Sequence, residues 1–159
     1  MKNILYTIIL SFLFSSVCLA DWESAKDAYD AGDYATAYKE FKTLAEQGDA
    51  RAQATLGDMY FWAKGVTQDY MEAANWYRNA ADQGQAKAQY NLGVMYGLGQ
   101  GVIEDKVYAH MWGNILNSNG YEGGKKIMDY LLEQAMTPFQ IQEAQRLARE
   151  CVKKNYKGC

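Results

Sequence analysis

Few side chains in this sequence could do chemistry. His110 is the only histidine in 159 residues, so no imidazole pair can hold a metal. A site made from His110 and two cysteines would need Cys151 and Cys159 as free thiols. General-base catalysis needs a group that orients the ring. No such partner is identifiable for His110, which directly precedes Met111-Trp112 and reads as a structural or surface residue. Beyond residue 20 the serines are Ser24 and Ser118. Neither opens an S-x-x-K, and K-T-G and G-x-S-x-G are absent, so serine acylation has no visible machinery. Gly97, Gly99 and Gly101 in YGLGQGV imitate a dinucleotide loop, but what precedes them has helical rather than strand periodicity. Asp27, Asp30 and Asp33 lack the twelve-residue calcium pattern and suit helix ends. The expectation is a protein that is not an enzyme, with no metal and no cofactor. The chemistry left is recognition.

Charge narrows the partner. Sixteen basic against 19 acidic side chains give −3, which removes the main motive for nucleic-acid binding. Residues 1–20 read as a secretory signal peptide: Lys2 begins it, Ile4 to Phe14 form an apolar core, and Cys18-Leu19-Ala20 is a small-x-small cleavage site. Eleven apolar residues cover about 16 Å, against about 30 Å of hydrocarbon, too short for a membrane anchor. Bulky Val17 argues against acylation of Cys18. Cleavage would leave no stable membrane insertion and two cysteines in a compartment where disulfides persist. Cys151 and Cys159 can then bridge within the chain, bridge between chains or stay as thiols. The internal disulfide is favoured, as a staple on the C-terminus, since no C-x-x-C motif suggests redox work.

The elements that would carry a binding surface come from a repeat. Shifted by 36 residues, 50–84 aligns without gaps to 86–120 with 13 of 35 positions identical, where unrelated sequence would give roughly two. Leu56/Leu92, Gly57/Gly93, Met59/Met95, Tyr60/Tyr96, Gly65/Gly101, Asp69/Asp105 and Trp76/Trp112 are among the shared pairs. The shared positions are expected to be architecture. Ala52, Leu56, Met59 and Tyr60 lie on one helical face. Gly57 sits mid-helix at a cost of roughly 1 kcal/mol, which points to a close neighbour. Gly65-Val66 makes the turn, and Asp69 with Glu72 fits a capping box. Ala73, Trp76, Tyr77 and Ala80 form the second helix's apolar face, and Gly84 ends it. Trp76 and Trp112 are expected in the core. The same offset reaches back to a pair of helices in 22–48 with a shorter turn at Asp30-Ala31-Gly32. The organisation is 22–48, 50–85, 86–120 and capping helices in 121–159, where Thr137-Pro138-Phe139-Gln140 starts the last helix. One domain, 21–159, is expected: all-α, about four helix pairs, no β-sheet.

The string A-x-A-Q-x-x-L-G-x-M-Y, then G-V-x-x-D, then A-x-x-W, occurs twice and resembles the SEL-1-like repeat family, short relatives of tetratricopeptide repeats. The resemblance covers 50–120 strongly and 22–48 weakly, and MTPFQIQEAQRLARE is similar to the closing helix of small bacterial members. It implies a right-handed α/α solenoid with a protein-interaction or adaptor role. Some relatives in that family, with a cysteine pair in each repeat, are associated with penicillin binding or β-lactam hydrolysis; neither full repeat here has a cysteine.

Positions that differ between copies while the scaffold is fixed are the candidates for partner contact: Ala54, Asp58, Phe61 and Trp62 in the first copy, and Tyr90, Asn91 and Val94 in the second, with Thr55, Gly97 and Leu98 beside them. Residues 54, 58 and 61 share a helix face, as do 90, 94 and 97. Phe61-Trp62 is either an exposed anchor or a pair of rings packed under the turn. The expected function is a periplasmic adaptor holding a protein or peptide on its concave face. The alternatives are a cell-envelope enzyme or glycan-binding protein, and a secreted effector that binds host proteins.

Overall fold

In the computed structural model, which describes residues 21–159, eight α-helices follow one another and no strand occurs among the described residues. They are α1 Trp22–Asp30, α2 Tyr34–Glu46, α3 Ala50–Phe61, α4 Tyr70–Ala81, α5 Ala86–Leu98, α6 Lys106–Ser118, α7 Glu122–Glu133 and α8 Pro138–Lys153. The expected signal peptide, residues 1–20, lies outside the described residues.

Aspartates set most of the starts. Asp21, Asp33, Asp49, Asp69 and Asp105 precede α1, α2, α3, α4 and α6, and each side chain accepts from first-turn N–H groups, a cap typically worth about 1 kcal/mol. Thr137 and Gln140 form the full reciprocal capping box at α8. The box expected at α4 is only half made: Asp69 accepts from Met71 and Glu72, but its own N–H goes to the Tyr60 carbonyl at 3.1 Å, so nothing remains for the Glu72 carboxylate.

From α1 to α7 each helix packs on the next, α8 packs back on α6, and the first helices of successive pairs also touch one another, α3 on α5 and α5 on α7. At these seams it is the first helices that meet, as in the inner layer of a curved stack, until α8 packs on α6 at the C-terminal end. Buried side chains form three clusters along it. The first joins Ala25, Phe41, Leu44, Leu56 and Met59; the second joins Tyr77, Leu92, Met95, Met111, Trp112 and Ile115; the third joins Ala109, Leu116, Ile127 and Leu131.

The repeat register is visible in inter-unit contacts. Gly65 has φ +74°, and a Cβ there would meet the Tyr34 carbonyl oxygen at 2.6 Å; Gly101, at φ +68°, lies against the Tyr70 backbone in the same way. Tyr34 and Tyr70 are themselves 36 residues apart. The turn of each unit thus sits on the second helix of the unit before, where only glycine fits. Gln53 and Gln89, both buried, repeat a second contact: each side-chain amide donates to a carbonyl eight residues earlier, Ala45 at 3.1 Å and Ala81 at 3.2 Å.

The two tryptophans are less alike than the sequence suggests. Trp112 is fully buried, in a cluster completed by Ala148 and Cys151 of α8. Trp76 is half-buried and packs against the first cluster from outside. The expectation of a core role therefore needs correction for Trp76. The cause is the closing helix, because α8 packs on α6 while α4 has only α3 and α5 as neighbours.

The repeated tyrosines take their place at the rim of the core. Leu56, Gly57, Leu92 and Gly93 are buried as architectural positions should be, but Tyr60 and Tyr96 are only half-buried. Each ring packs on the edge of a cluster and turns its hydroxyl to a polar partner in an earlier helix. Tyr60 shares a hydrogen bond with the Tyr38 hydroxyl at 2.9 Å, whereas the Tyr96 hydroxyl accepts from Arg78 Nη2 at 3.2 Å. Tyr96 also lies 5.3 Å from the Tyr108 ring and touches both the second and the third cluster. A phenol at the last turn of α5 buries its ring and leaves its polar tip within reach of a donor near the surface. Tyr96 is therefore a bridge between units at the rim of the core.

Candidate binding surface

The inner layer is built from α1, α3, α5 and α7, and the expected contact residues fall into two unlike regions of it. Around α3 the surface is closed. Ala54 is 2% exposed and Asp58 8%, so neither can meet a partner as expected: the face carrying them is where α5 packs. The Asp58 carboxylate is saturated. Oδ1 accepts from the Tyr77 hydroxyl at 2.7 Å and from Asn91 Nδ2 at 3.2 Å, and Oδ2 pairs with Lys87. The expected site residues Asp58 and Asn91 do come together, as a bond between units. Burial first, then the Asp58 charge, pushes the Tyr77 hydroxyl far above its usual range, so at neutral pH it is a donor. Burial followed by the Asp58 charge also raises Tyr29 of α1.

Around α5 the surface is open. Tyr90, Val94 and Gly97 line a groove of about 170 Å³ together with Leu98, Ile127 and Tyr130. Tyr90 and Val94 are half-buried against the third cluster, and Leu98 and Tyr130 are 48% and 42% exposed. Lys126 stands on the rim. The candidates Tyr90 and Val94 thus meet in one place, with Gly97 and Leu98 beside them and with partners from α7 that the repeat pattern did not single out. Their only sequence signal was the helical spacing of Ile127, Tyr130 and Leu131, and Lys87, Lys126, Gln53 and Gln89 were not among the candidates.

Phe61 and Trp62 part ways. Phe61 is half-buried, edge-on to Tyr70 with ring centres 5.0 Å apart, and packs on the central cluster. Trp62 is 64% exposed at the end of α3, with its ring 4.8 Å from that of Phe61. Phe61 packs as the rings-under-the-turn alternative has it, whereas Trp62 is exposed.

His110 is buried on α6, with its Nδ1 2.9 Å from Asn114 Nδ2. Desolvation lowers its pKa. Among the described residues no three His, Cys, Asp or Glu side chains gather as a metal site, and no helix is long and apolar enough to cross a membrane. The Cys151 and Cys159 sulfurs lie at disulfide distance, 2.15 Å, with Cα atoms 5.6 Å apart.

The pattern of turns, repeated amide bonds and stacked helix pairs now meets its comparison: the Sel1 repeat profile matches residues 50–85 and 86–115. The chain carries two Sel1 repeats. Two solved structures share its architecture. One is c5321, described as a protective antigen present in uropathogenic Escherichia coli strains displaying an SLR fold, 30% identical over 83% of this chain with a TM-score of 0.77. The other is a Sel1 repeat protein from Oxalobacter formigenes, 28% identical over 82% of this chain with a TM-score of 0.67. Both are longer: the match spans 29% of the first and 55% of the second. No curated protein matches the chain. The Sel1-repeat fold is consistent with a protein-interaction scaffold.

Proposed function

We propose that this Sel1-repeat protein is exported and acts without catalysis, as an adaptor or scaffold that holds a protein or peptide on the inner face of its solenoid in the cell envelope. The observation that carries this reading is the α5/α7 groove: apolar, open to solvent, floored by Ala109 of α6 and walled by side chains of α5 and α7, the kind of prefolded surface on which groove recognition depends. The signal-like segment 1–20 and the paired cysteines support export, as does similarity to a protein described as a protective antigen.

The test is site-specific photocrosslinking of the full chain in its own cells. A benzophenone side chain at Tyr90 or Tyr130 should give a discrete adduct in the periplasmic fraction that purified partner and protein then reproduce. The same group at Asn79, exposed on α4, should give none. Absence of adducts at the groove, or equal adducts at Asn79, would refute the adaptor reading. Turnover of nitrocefin or binding of labelled glycan, lost on a single polar substitution, would replace it with the envelope-enzyme reading.

A further inference from the structure

The two seams between first helices are built from the same register but filled differently. In the first, Phe61 projects from the last turn of α3 and packs on Tyr70 and on the central cluster, to which Ala73 and Met95 belong. Moving every position by 36 residues gives Gly97 in place of Phe61, with Lys106, Ala109 and Leu131 in place of Tyr70, Ala73 and Met95. The backbone geometry carries over: a Cβ on Gly97 would lie 3.7 Å from Ala109 Cβ and 3.8 Å from Leu131 Cδ2, ordinary contact distances with room for more. The second seam is thus a seat from which the ring is missing, and the apolar groove of about 170 Å³ beside Gly97 is that space.

Its rim has one sign of charge to offer. Lys126 lines the groove and forms no ion pair among the described residues, whereas its neighbour Lys125 is held by Asp129 at 2.6 Å. Glu122, one turn earlier on α7, shares an adjoining depression with Lys126 but does not line the groove itself.

We infer that the groove is a subsite for one aromatic side chain of a peptide ligand, with an acidic residue next to that aromatic meeting Lys126. This rests on the adaptor reading and names the chemistry its partner would present. The ring would occupy in trans the place that Phe61 fills in cis one unit earlier. The carboxylate would answer an exposed cation, a weak contact that selects orientation more than it adds affinity.

The probe is the capped peptide acetyl-Gly-Ser-Asp-Phe-Asp-Ser-Gly-amide, titrated into the purified chain lacking residues 1–20 and followed by amide NMR shifts into the millimolar range. Saturable shifts centred on Gly93, Gly97, Leu98 and Tyr130 are expected. Replacing the peptide's Phe by Ser should weaken binding about tenfold or more, since a buried ring carries most of the transfer energy. Replacing both Asp by Asn, or Lys126 by Gln, should weaken it about two- to fivefold, a difference that fades at high salt. Gly97→Phe, which installs the residue the sister unit has there, should abolish binding while leaving the melting temperature at or above that of wild type. Gly97→Met, a more flexible filler, repeats the test should the phenylalanine variant fold poorly.

No saturable shifts from the parent peptide, equal affinity for the Ser peptide, or binding unchanged in a folded Gly97→Phe or Gly97→Met variant would each overturn the subsite. The two readings separate in the crosslinking assay: adducts at Tyr130 that persist in Gly97→Phe refute the subsite alone, while the absence of any adduct in wild type refutes the adaptor.

Discussion

Three glycines inside first helices should respond to the same substitution in three ways. Replacing Gly by Ala in a helix interior gains about 1 kcal/mol from backbone propensity alone, so any other outcome reports the surroundings. At Gly57 the new Cβ would stand 2.5 Å from Cδ1 and Cε1 of Tyr77, a ring 1% exposed. That ring cannot retreat freely, because its hydroxyl is held by Asp58 at 2.7 Å. Overpacking costs about 1–3 kcal/mol and a disturbed buried hydrogen bond about 1 kcal/mol more, so Gly57→Ala should lose about 1–3 kcal/mol net. At Gly93 the neighbours are the Ile127 Cδ1 at 3.0 Å, a mobile end, and the Trp112 Cβ at 3.1 Å, so cost and gain nearly cancel. At Gly97 nothing lies closer than 3.7 Å, and the helical gain stands. For a chain of this size about 3 °C follows each kcal/mol. Thermal melts should therefore rank Gly97→Ala above wild type, Gly93→Ala near it and Gly57→Ala about 3–9 °C below. Adding Tyr77→Leu to Gly57→Ala should recover part of the loss, a coupling of at least about 0.5 kcal/mol. A Gly57→Ala protein that melts as high as wild type would refute the claim that this glycine exists to admit Tyr77.

Urea melts should separate the tryptophans, with Trp112→Ala costing about 3–5 kcal/mol and half-buried Trp76→Ala clearly less. Asp58→Ala should cost about 1–3 kcal/mol, because it strands the buried Tyr77 hydroxyl and leaves Asn91 short of an acceptor, and Asp58→Asn should recover part of it. Desolvation lowers the pKa of His110 in the folded chain, so below the ordinary value near 6.5 the unfolded chain binds more protons. This contribution to stability is complete above that value and falls with pH, by at most about 1.4 kcal/mol per unit; His110→Gln should flatten the slope of melting temperature between pH 7 and 5. Reduction of Cys151–Cys159 should cost about 2.5 kcal/mol by the chain-entropy estimate and free the Asn119–Tyr156 contact (3.2 Å), with far-ultraviolet helicity preserved; complete unfolding by reductant would contradict a terminal staple.

The backbone plan was legible because it is written in residues with few alternatives. Aspartate at a helix start, glycine where φ is positive, and a 36-residue recurrence of both left little freedom for where the helices of 50–120 begin and end. Even the half-formed capping box at Asp69 misled only about Glu72, and for a tertiary reason, the Tyr60 carbonyl. The side-chain environments were less legible. Trp76 and Trp112 occupy the same position of the repeat, and what distinguishes their surroundings is α8, a helix some thirty residues downstream of Trp112 that lies outside the repeat. Tyr60 and Tyr96 recur for their rings, yet recurrence could not tell that Tyr38 answers one hydroxyl and Arg78 the other. The candidate site was half legible. Tyr90 and Val94 line the groove, but its other wall is Ile127, Tyr130 and Lys126, in a segment where the repeat has already faded. Ala54 and Asp58 failed because helical spacing tells which residues share a face and is silent on whether another helix covers it.

That failure changes how divergence between the two copies should be understood. Variation over a fixed scaffold invites the inference that varying positions choose the partner. Here the variation follows the neighbour. Asp58 is matched to Lys87 and Asn91 across the α3/α5 seam, while Val94, its counterpart, packs with the cluster of Ile127 and Leu131 across α5/α7. Exchanging the two would place a carboxylate among aliphatic side chains and leave Lys87 facing a methyl group. Each pair of helices can accept only its own successor, and this fixes the order of units in a stack whose backbones would otherwise be interchangeable. Between the inner helices, room for an outside partner is then left only where a seam is incomplete. Among the inner-layer seams described here that condition holds beside Gly97, where register calls for a ring and the chain supplies none.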